Sequence, residues 1–129
     1  MKRAAGKRSI LVLGSERNKA FAQTLRELEL VPTFVASLEG VVHALRHMRA
    51  TAILVDSDHR GADDLELVLN VRDLDSEVPI LLIGSSREEY AERILSSRSK
   101  TFLIHKASNS RSLAGEIRPL LKAAGLPST

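Results

Sequence analysis

The chain has 129 residues, a length that fits one domain with a single hydrophobic core. Hydrophobic residues make up 43% of it and charged residues 27%, which is typical of a folded protein rather than a disordered one. The chain has no cysteine, which excludes disulfides, thiolate catalysis and cysteine-based zinc sites. No apolar run approaches the roughly 18 residues that span a bilayer, and no signal peptide is recognisable, so we expect a cytoplasmic protein without a membrane segment.

The net charge of +3 comes from the N-terminal end of the chain. Lys2, Arg3, Lys7 and Arg8 carry four of the 19 basic residues, which leaves 15 basic against 16 acidic residues in the rest. We therefore expect a basic tail over residues 1–8, one domain over 9–124 and a short tail over 125–129. Four charges are a weak signal for nucleic acid, and aromatic residues, on which bases stack, make up only 3%. Nucleic-acid binding by the domain alone is therefore not favoured.

Five short apolar runs alternate with five helical patterns along the chain. The runs cover residues 10–13, 33–36, 52–55, 80–83 and 102–104. The first, third and fourth are continuous stretches of Val, Ile, Leu and Ala, so both faces of each strand must be covered. A parallel sheet with helices on both faces meets that requirement.

The segments between the runs have apolar residues three or four positions apart, which predicts amphipathic helices. These residues are Phe21, Leu25 and Leu28; Val41, Val42, Leu45 and Met48; Leu65, Val68 and Leu69; Tyr90, Ile94 and Leu95; and Leu113, Ile117, Leu120 and Leu121. Ser37 is placed to cap the second helix, residues 86–89 have capping-box spacing, and Gly125 followed by Pro127 ends the last helix. The alternating order predicts a doubly wound α/β domain whose five-stranded parallel sheet has the order 2-1-3-4-5.

In such a sheet, function lies beyond the carboxyl ends of the strands, where the strand order reverses. The residues predicted to line this cleft are Gly14, Ser15 and Glu16 after the first strand, Asp56 and Asp58 after the third, Gly84 and Ser85 after the fourth, and Lys106 after the fifth. The cleft would therefore hold carboxylates and one ammonium group.

These residues resemble the response-regulator receiver family, whose fold is flavodoxin-like or CheY-like. Asp56 follows Ala-Ile-Leu-Val and matches the family's phospho-accepting aspartate. Residues 63–67, Asp-Asp-Leu-Glu-Leu, match the family's Asp-Gly-Leu-Glu-Leu pattern, and Lys106 matches its near-invariant lysine. The resemblance spans about residues 8–124 and implies a role in two-component signal transduction.

The chain departs from the family pattern at several positions of this cleft. Gly14 and Ser15 stand where the family has its magnesium-binding acidic pair, Gly84 replaces the switch Ser or Thr, Ala107 replaces the proline after the lysine, and Leu103 replaces the switch aromatic residue. Phe102 precedes Leu103, so we expect the two side chains on opposite faces of the sheet.

The lost acidic pair weakens the chemical case for phosphorylation. Phosphoryl transfer to Asp56 brings two anions together, and magnesium, held by hard carboxylates, normally neutralises that charge. We expect no cofactor, magnesium at most weakly bound, and a structural ion pair between Asp56 and Lys106. His43 and His47 have a zinc-compatible spacing, but we expect both to face solvent and no zinc site there.

The resulting hypothesis is a non-enzymatic pseudo-receiver that acts through protein–protein contacts. The resemblance implies a docking face made of the fourth helix, fifth strand and fifth helix, and a homodimer is possible. One alternative is a receiver still phosphorylated at Asp56, with Glu16 or Asp58 replacing the lost ligands, for example as the N-terminal domain of a transcription regulator. Another is a small-molecule or nucleic-acid-binding domain that uses the cleft or the basic tail.

Overall fold

The computed structural model describes residues 8–15, 19–58, 63–84, 89–105 and 113–123. Strands and helices alternate strictly through these residues. Their order is β1 (Arg8–Leu13), α1 (Lys19–Glu27), β2 (Leu30–Val35), α2 (Leu38–His47), β3 (Ala52–Asp56), α3 (Asp64–Leu74), β4 (Ile80–Gly84), α4 (Glu89–Ser96), β5 (Thr101–His105) and α5 (Leu113–Ala123). No helix in the described ranges is both long and apolar enough to cross a bilayer.

The strands form one parallel sheet in the order β2-β1-β3-β4-β5, which confirms the predicted topology. The order reverses at β1, which pairs with β2 on one side and β3 on the other. Leu13 lies opposite Val55, so the residues that follow β1 and β3 are neighbours at the carboxyl edge. Asp56 in turn lies opposite Ile83.

Alternate strand residues enter two separate cores, one on each face of the sheet. Ile10 and Val12 pack with α1 and α5, whereas Leu11 and Leu13 pack with α2, α3 and α4. Every residue of β4 is buried, as expected for a strand covered on both faces. The expected separation at β5 is confirmed: Phe102 packs against the first core and Leu103 against the second.

Two details of the sequence-based assignment were wrong. Strand β2 begins at Leu30 rather than at residue 33, and Pro32 lies inside it. Because β2 is an edge strand, one of its sides has no strand neighbour, which is where proline is tolerated. Leu69 was predicted to belong to the buried ridge of α3, but its side chain is 43% exposed.

The buried face of α3 is formed instead by Leu67, Val68 and Val71, none of which is exposed. Leu65 and Leu69 also recur at helical spacing, but they lie nearer the boundary between the buried and solvent faces. The helix is apolar over a wide arc, so spacing alone did not identify its most buried line.

Side chains before α2 and α3 accept backbone hydrogen bonds that would otherwise be unmade. Ser37 is the N-cap of α2, as predicted, and its Oγ accepts from the Gly40 amide at 3.2 Å. Asp63 caps α3, and its Oδ1 accepts from the Glu66 amide at 3.0 Å. The capping signal over residues 86–89 and the stop signal at Gly125 and Pro127 lie outside the described residues.

Arg72 joins three segments at the amino edge of the sheet. Its guanidinium donates to the carbonyl oxygens of Asp75, Val78, Ser99 and Lys100, at 3.1, 2.7, 2.8 and 3.1 Å. Burial lowers the pKa of this guanidinium from its ordinary value, while the charges of Asp75 and Glu77 oppose the shift. The arginine therefore connects the end of α3 to the turns that enter β4 and β5.

Candidate functional site

Asp56 and Gly14 lie side by side at the carboxyl edge of the sheet. Asp56 is the last residue of β3 and is half-buried, whereas Gly14 follows β1 and is buried. A Cβ atom added to Gly14 would lie 3.2 Å from Cβ of Asp56 and 4.0 Å from its Oδ2. The Gly14 amide donates to the Val35 carbonyl at 3.1 Å, which fixes this backbone against β2. Glycine thus leaves Asp56 space that any other residue would reduce.

The turn after β3 orients the Asp56 carboxylate. The Asp58 amide donates to Oδ1 of Asp56 at 3.1 Å, which is the geometry of an Asx-turn. The Ser57 amide donates to the Ile83 carbonyl at 2.7 Å and so extends the pairing of β3 with β4. The carboxylate is therefore held at the edge by its own following turn.

The ends of the other central strands supply backbone rather than acidic side chains. Gly14 and Gly84 have no side chain, and the neighbouring Ser15 is an exposed hydroxyl. Within the described ranges, no three His, Asp or Glu side chains lie close enough together to hold a metal ion. Among the residues that the structure describes at this edge, the carboxylates are Asp56 and Asp58, and the second is exposed. This described donor set does not fit the acidic magnesium site that the receiver resemblance implies.

The described part of the chain brings together five of the predicted cleft residues: Gly14, Ser15, Asp56, Asp58 and Gly84. Glu16, Ser85 and Lys106 lie outside the described residues, as does Ala107. The ion pair between Asp56 and Lys106, and a contribution of Glu16 to metal binding, therefore stay predictions.

The sequence pattern indicates a missing acid at Gly14 but does not predict that this residue lies beside Asp56. The predicted strand order already makes β1 and β3 neighbours. When two neighbouring parallel strands end at the same level, the residues that follow them lie side by side. What the sequence could not supply was the register itself, in which Leu13 lies opposite Val55.

His43 and His47 are both exposed on α2, as predicted. Their ring centroids are 4.4 Å apart, and Nδ1 of His47 lies 2.8 Å from the His43 carbonyl oxygen. The pair lies on the outer surface of α2, away from the cleft at Asp56.

Several solved structures with this architecture are receiver domains. The receiver domain of the sensor histidine kinase PA1611 from Pseudomonas aeruginosa PAO1, which has a magnesium ion in its active-site cleft, is 20% identical, with a TM-score of 0.70 over 92% of this chain and 98% of that one. A CheY-like receiver protein from Methanospirillum hungatei JF-1 is 16% identical, with a TM-score of 0.70 over 92% and 96%. CheY4 of Vibrio cholerae is 15% identical, with a TM-score of 0.71 over 88% and 98%.

The sequence itself matches no protein-family model and no curated protein. The strand order, the helix arrangement and these structural likenesses define the class: the chain has the receiver, or CheY-like, fold. At this level of sequence identity, similarity to solved structures establishes the fold only. The chemistry of the cleft depends on the residues that this chain places there.

Proposed function

We propose that the chain is a non-enzymatic signal-transduction module of receiver fold that acts by docking on proteins, without magnesium-dependent phosphorylation of Asp56. The observation that carries the proposal is the position of Gly14 beside Asp56. Where the receiver pattern has an acid, this chain has a buried glycine whose missing Cβ would lie 3.2 Å from the aspartate. The position thus lacks a carboxylate, and a Cβ atom there would require Asp56 to shift by a few tenths of an ångström.

The electrostatic reason concerns the approach of a phosphoryl group to a carboxylate. Both are anions, and a divalent cation normally neutralises the developing charge on the phosphoryl oxygens. Magnesium keeps several waters and is held through one or two carboxylates. At this edge Asp58 is exposed and its amide already bonds Asp56, so the described residues support weak cation binding at most.

The proposed docking face consists of α4, β5 and α5, as the receiver resemblance implies. On the described part of this face, Glu89, Arg93 and Arg98 are exposed charges of both signs. Lys100 at its edge pairs with Glu77 at 2.8 Å. Such a charged rim favours orientation and rate of encounter with a protein partner.

The phosphorylation half of the proposal is tested with acetyl phosphate and, separately, beryllofluoride, each with magnesium. We expect no phosphoryl adduct by intact mass and no amide shifts around Asp56 beyond those of an Asp56→Asn control. Phosphate uptake by the wild type that the Asp56→Asn variant loses would reject the proposal. It would favour the second candidate, a phosphorylatable receiver, which the position of Asp56 at the end of β3 supports.

The docking half is tested by photo-crosslinking in the source cells. A crosslinker at Arg93, on α4, should capture a protein that a crosslinker at the exposed Arg26, on α1 and outside the proposed face, captures less. The captured protein must then bind the purified chain, and Arg93→Glu with Arg98→Glu should weaken that binding about tenfold, since rim charges act mainly on encounter. Binding that is unchanged by these reversals would place the docking face elsewhere.

A further inference from the structure

His43 and His47 lie one turn apart on α2, and their imidazole rings are in contact at the protein surface. Both side chains are exposed. The ring centroids are 4.4 Å apart, and the ring planes are tilted by 35°. Residues four positions apart share one face of a helix, so the backbone of α2 is sufficient to hold the two rings together. The pair lies outside both the cleft at Asp56 and the proposed docking face.

A hydrogen bond to the backbone determines which nitrogen of His47 can bind a ligand. Nδ1 of His47 lies 2.8 Å from the carbonyl oxygen of His43. Because a carbonyl oxygen can only accept, Nδ1 carries the hydrogen and donates it. In the neutral ring the lone pair then lies on Nε2. Histidines that bind metal ions commonly have this arrangement, in which the other ring nitrogen donates to a carbonyl or carboxylate that orients the ring.

The separation of the two rings suits two neighbouring positions around one metal ion. An imidazole nitrogen lies about 2.0–2.1 Å from the ion that it binds. Two rings in adjacent positions of a tetragonal ion then have their centres roughly 4.5 Å apart. The rings on α2 are already at this distance, so metal binding requires rotation of exposed side chains and no movement of the helix.

The charged groups near the pair neither exclude nor complete a metal site. Glu39, one turn before His43, lines a hollow of about 340 Å³ together with His43 and Arg46. Glu39 and Arg46 are both exposed and have opposite charges, so their effects on a cation in this hollow oppose each other. Within the described ranges, no third histidine or carboxylate lies close enough to join the two rings around one ion. The protein therefore offers two ligands here.

We propose that His43 and His47 form a two-imidazole binding site for a divalent transition-metal ion of tetragonal geometry, above all Cu²⁺. Tetragonal nitrogen sites suit Cu²⁺ and Ni²⁺, and copper forms the strongest complexes of the divalent first-row series. Two protein ligands are fewer than the four of a structural zinc site, so water fills the remaining positions. The site depends neither on the proposed docking role nor on the state of Asp56.

The test is titration of copper(II) chloride into the 129-residue chain in a buffer without coordinating groups. At less than one ion per chain, the unpaired electron of Cu²⁺ should broaden the amide NMR signals of residues 43–47 before any others. Electron paramagnetic resonance should show coupling to two imidazole nitrogens. Nickel(II) chloride should act on the same residues with lower affinity. Broadening centred elsewhere, or coupling to one imidazole nitrogen alone, overturns the proposal.

Removing either ring should weaken copper binding. We expect His43→Gln and His47→Gln each to lower the affinity about tenfold or more, because a single imidazole lacks a second ligand held beside it. A matched variant, His47→Arg with Arg49→His, keeps the composition but moves the second imidazole to an exposed position beyond the end of α2. It should lose affinity as the single variants do. Copper binding as tight as that of the wild type in this variant would contradict the proposal.

The remaining two histidines of the chain, His59 and His105, provide the opposite control. His59→Gln with His105→Gln should bind copper as the wild type does, and so should Asp56→Asn. Loss of copper binding in either variant would assign the site to those residues and refute the proposal. Circular dichroism confirms that each variant is folded. Since these measurements involve no phosphoryl donor and no protein partner, their outcome is independent of the tests of the proposed function.

Discussion

The backbone of Gly14 lies beside the side chain of Asp56, so that a Cβ at residue 14 would lie 3.2 Å from the aspartate Cβ. The chemistry at this edge of the sheet therefore depends on which strands are neighbours. The reversal of strand order at β1 makes the two residues neighbours, and the identity of the first decides how many carboxylates surround the second.

Restoring the acidic pair should restore a response to magnesium. Gly14→Asp with Ser15→Asp should lower the free energy of unfolding by about 1–3 kcal/mol without metal, because the new side chain crowds Asp56. Magnesium at 100 times its dissociation constant should return about 2.7 kcal/mol to this variant. Urea unfolding with and without magnesium chloride measures both effects.

Ser15→Asp alone is the control, because Ser15 is exposed and its replacement does not crowd the aspartate. It should respond to magnesium less than the double variant does. If the wild type and the double variant gain equal stability from magnesium, the missing acids are not what limits binding at Asp56.

Replacing Arg72 should destabilise the fold more than its partial exposure suggests. Arg72→Met removes the donor to four carbonyl oxygens, and we expect a loss of about 2–4 kcal/mol in the free energy of unfolding. Arg72→Lys should recover only part of this, since an ammonium cannot span the same set of acceptors. Chemical denaturation measures both losses.

Arg118→Lys serves as the matched change at an exposed arginine, whose NH2 group lies 3.5 Å from the Glu27 carbonyl oxygen. Its effect should stay within about 0.5 kcal/mol. An Arg72→Met variant as stable as this control would show that the four-carbonyl contact contributes nothing.

Asp63 stabilises α3 as its N-cap. Asp63→Ala should cost about 1 kcal/mol, because the Glu66 amide loses its acceptor. Asp63→Asn keeps an oxygen acceptor and should cost only about 0.3 kcal/mol, since Asn and Asp are equally good N-cap residues. Thermal unfolding followed by circular dichroism separates the two, and equal losses would mean that charge, not capping, accounts for the effect.

The buried face of α3 can be checked with a pair of leucines. Leu67 is fully buried and Leu69 is 43% exposed. Leu67→Ala should cost about 2–5 kcal/mol of unfolding free energy, as expected for a cavity in a core. Leu69→Ala should cost less than about 1 kcal/mol, since exposed substitutions have small effects. Urea unfolding of both variants gives the comparison, and a larger loss at Leu69 would restore the original prediction.

The sequence was sufficient to predict the architecture because the strand signals are strong. Residues 10–13, 52–55 and 80–83 are uninterrupted apolar runs, and only a sheet covered on both faces buries them completely. The start of β2 was missed because Pro32 reads as a boundary, whereas an edge strand accommodates proline at a position facing away from its neighbour.

The cleft could be placed from sequence, but its internal geometry could not. Strand ends predict that residues 14, 56 and 84 share one edge, and this follows from topology alone. The contact of Gly14 with Asp56 depends on register. The carbonyl oxygens that accept hydrogen bonds from Arg72 lie as far as 28 residues away along the chain, so no local sequence pattern predicts them.

Weak binding of divalent cations at Asp56 is the central claim, and isothermal titration of magnesium into the purified chain tests it most directly. At physiological ionic strength we expect no saturable binding at millimolar magnesium, and the same flat response from an Asp56→Asn variant. Saturable binding by the wild type that disappears in the Asp56→Asn variant would contradict the account.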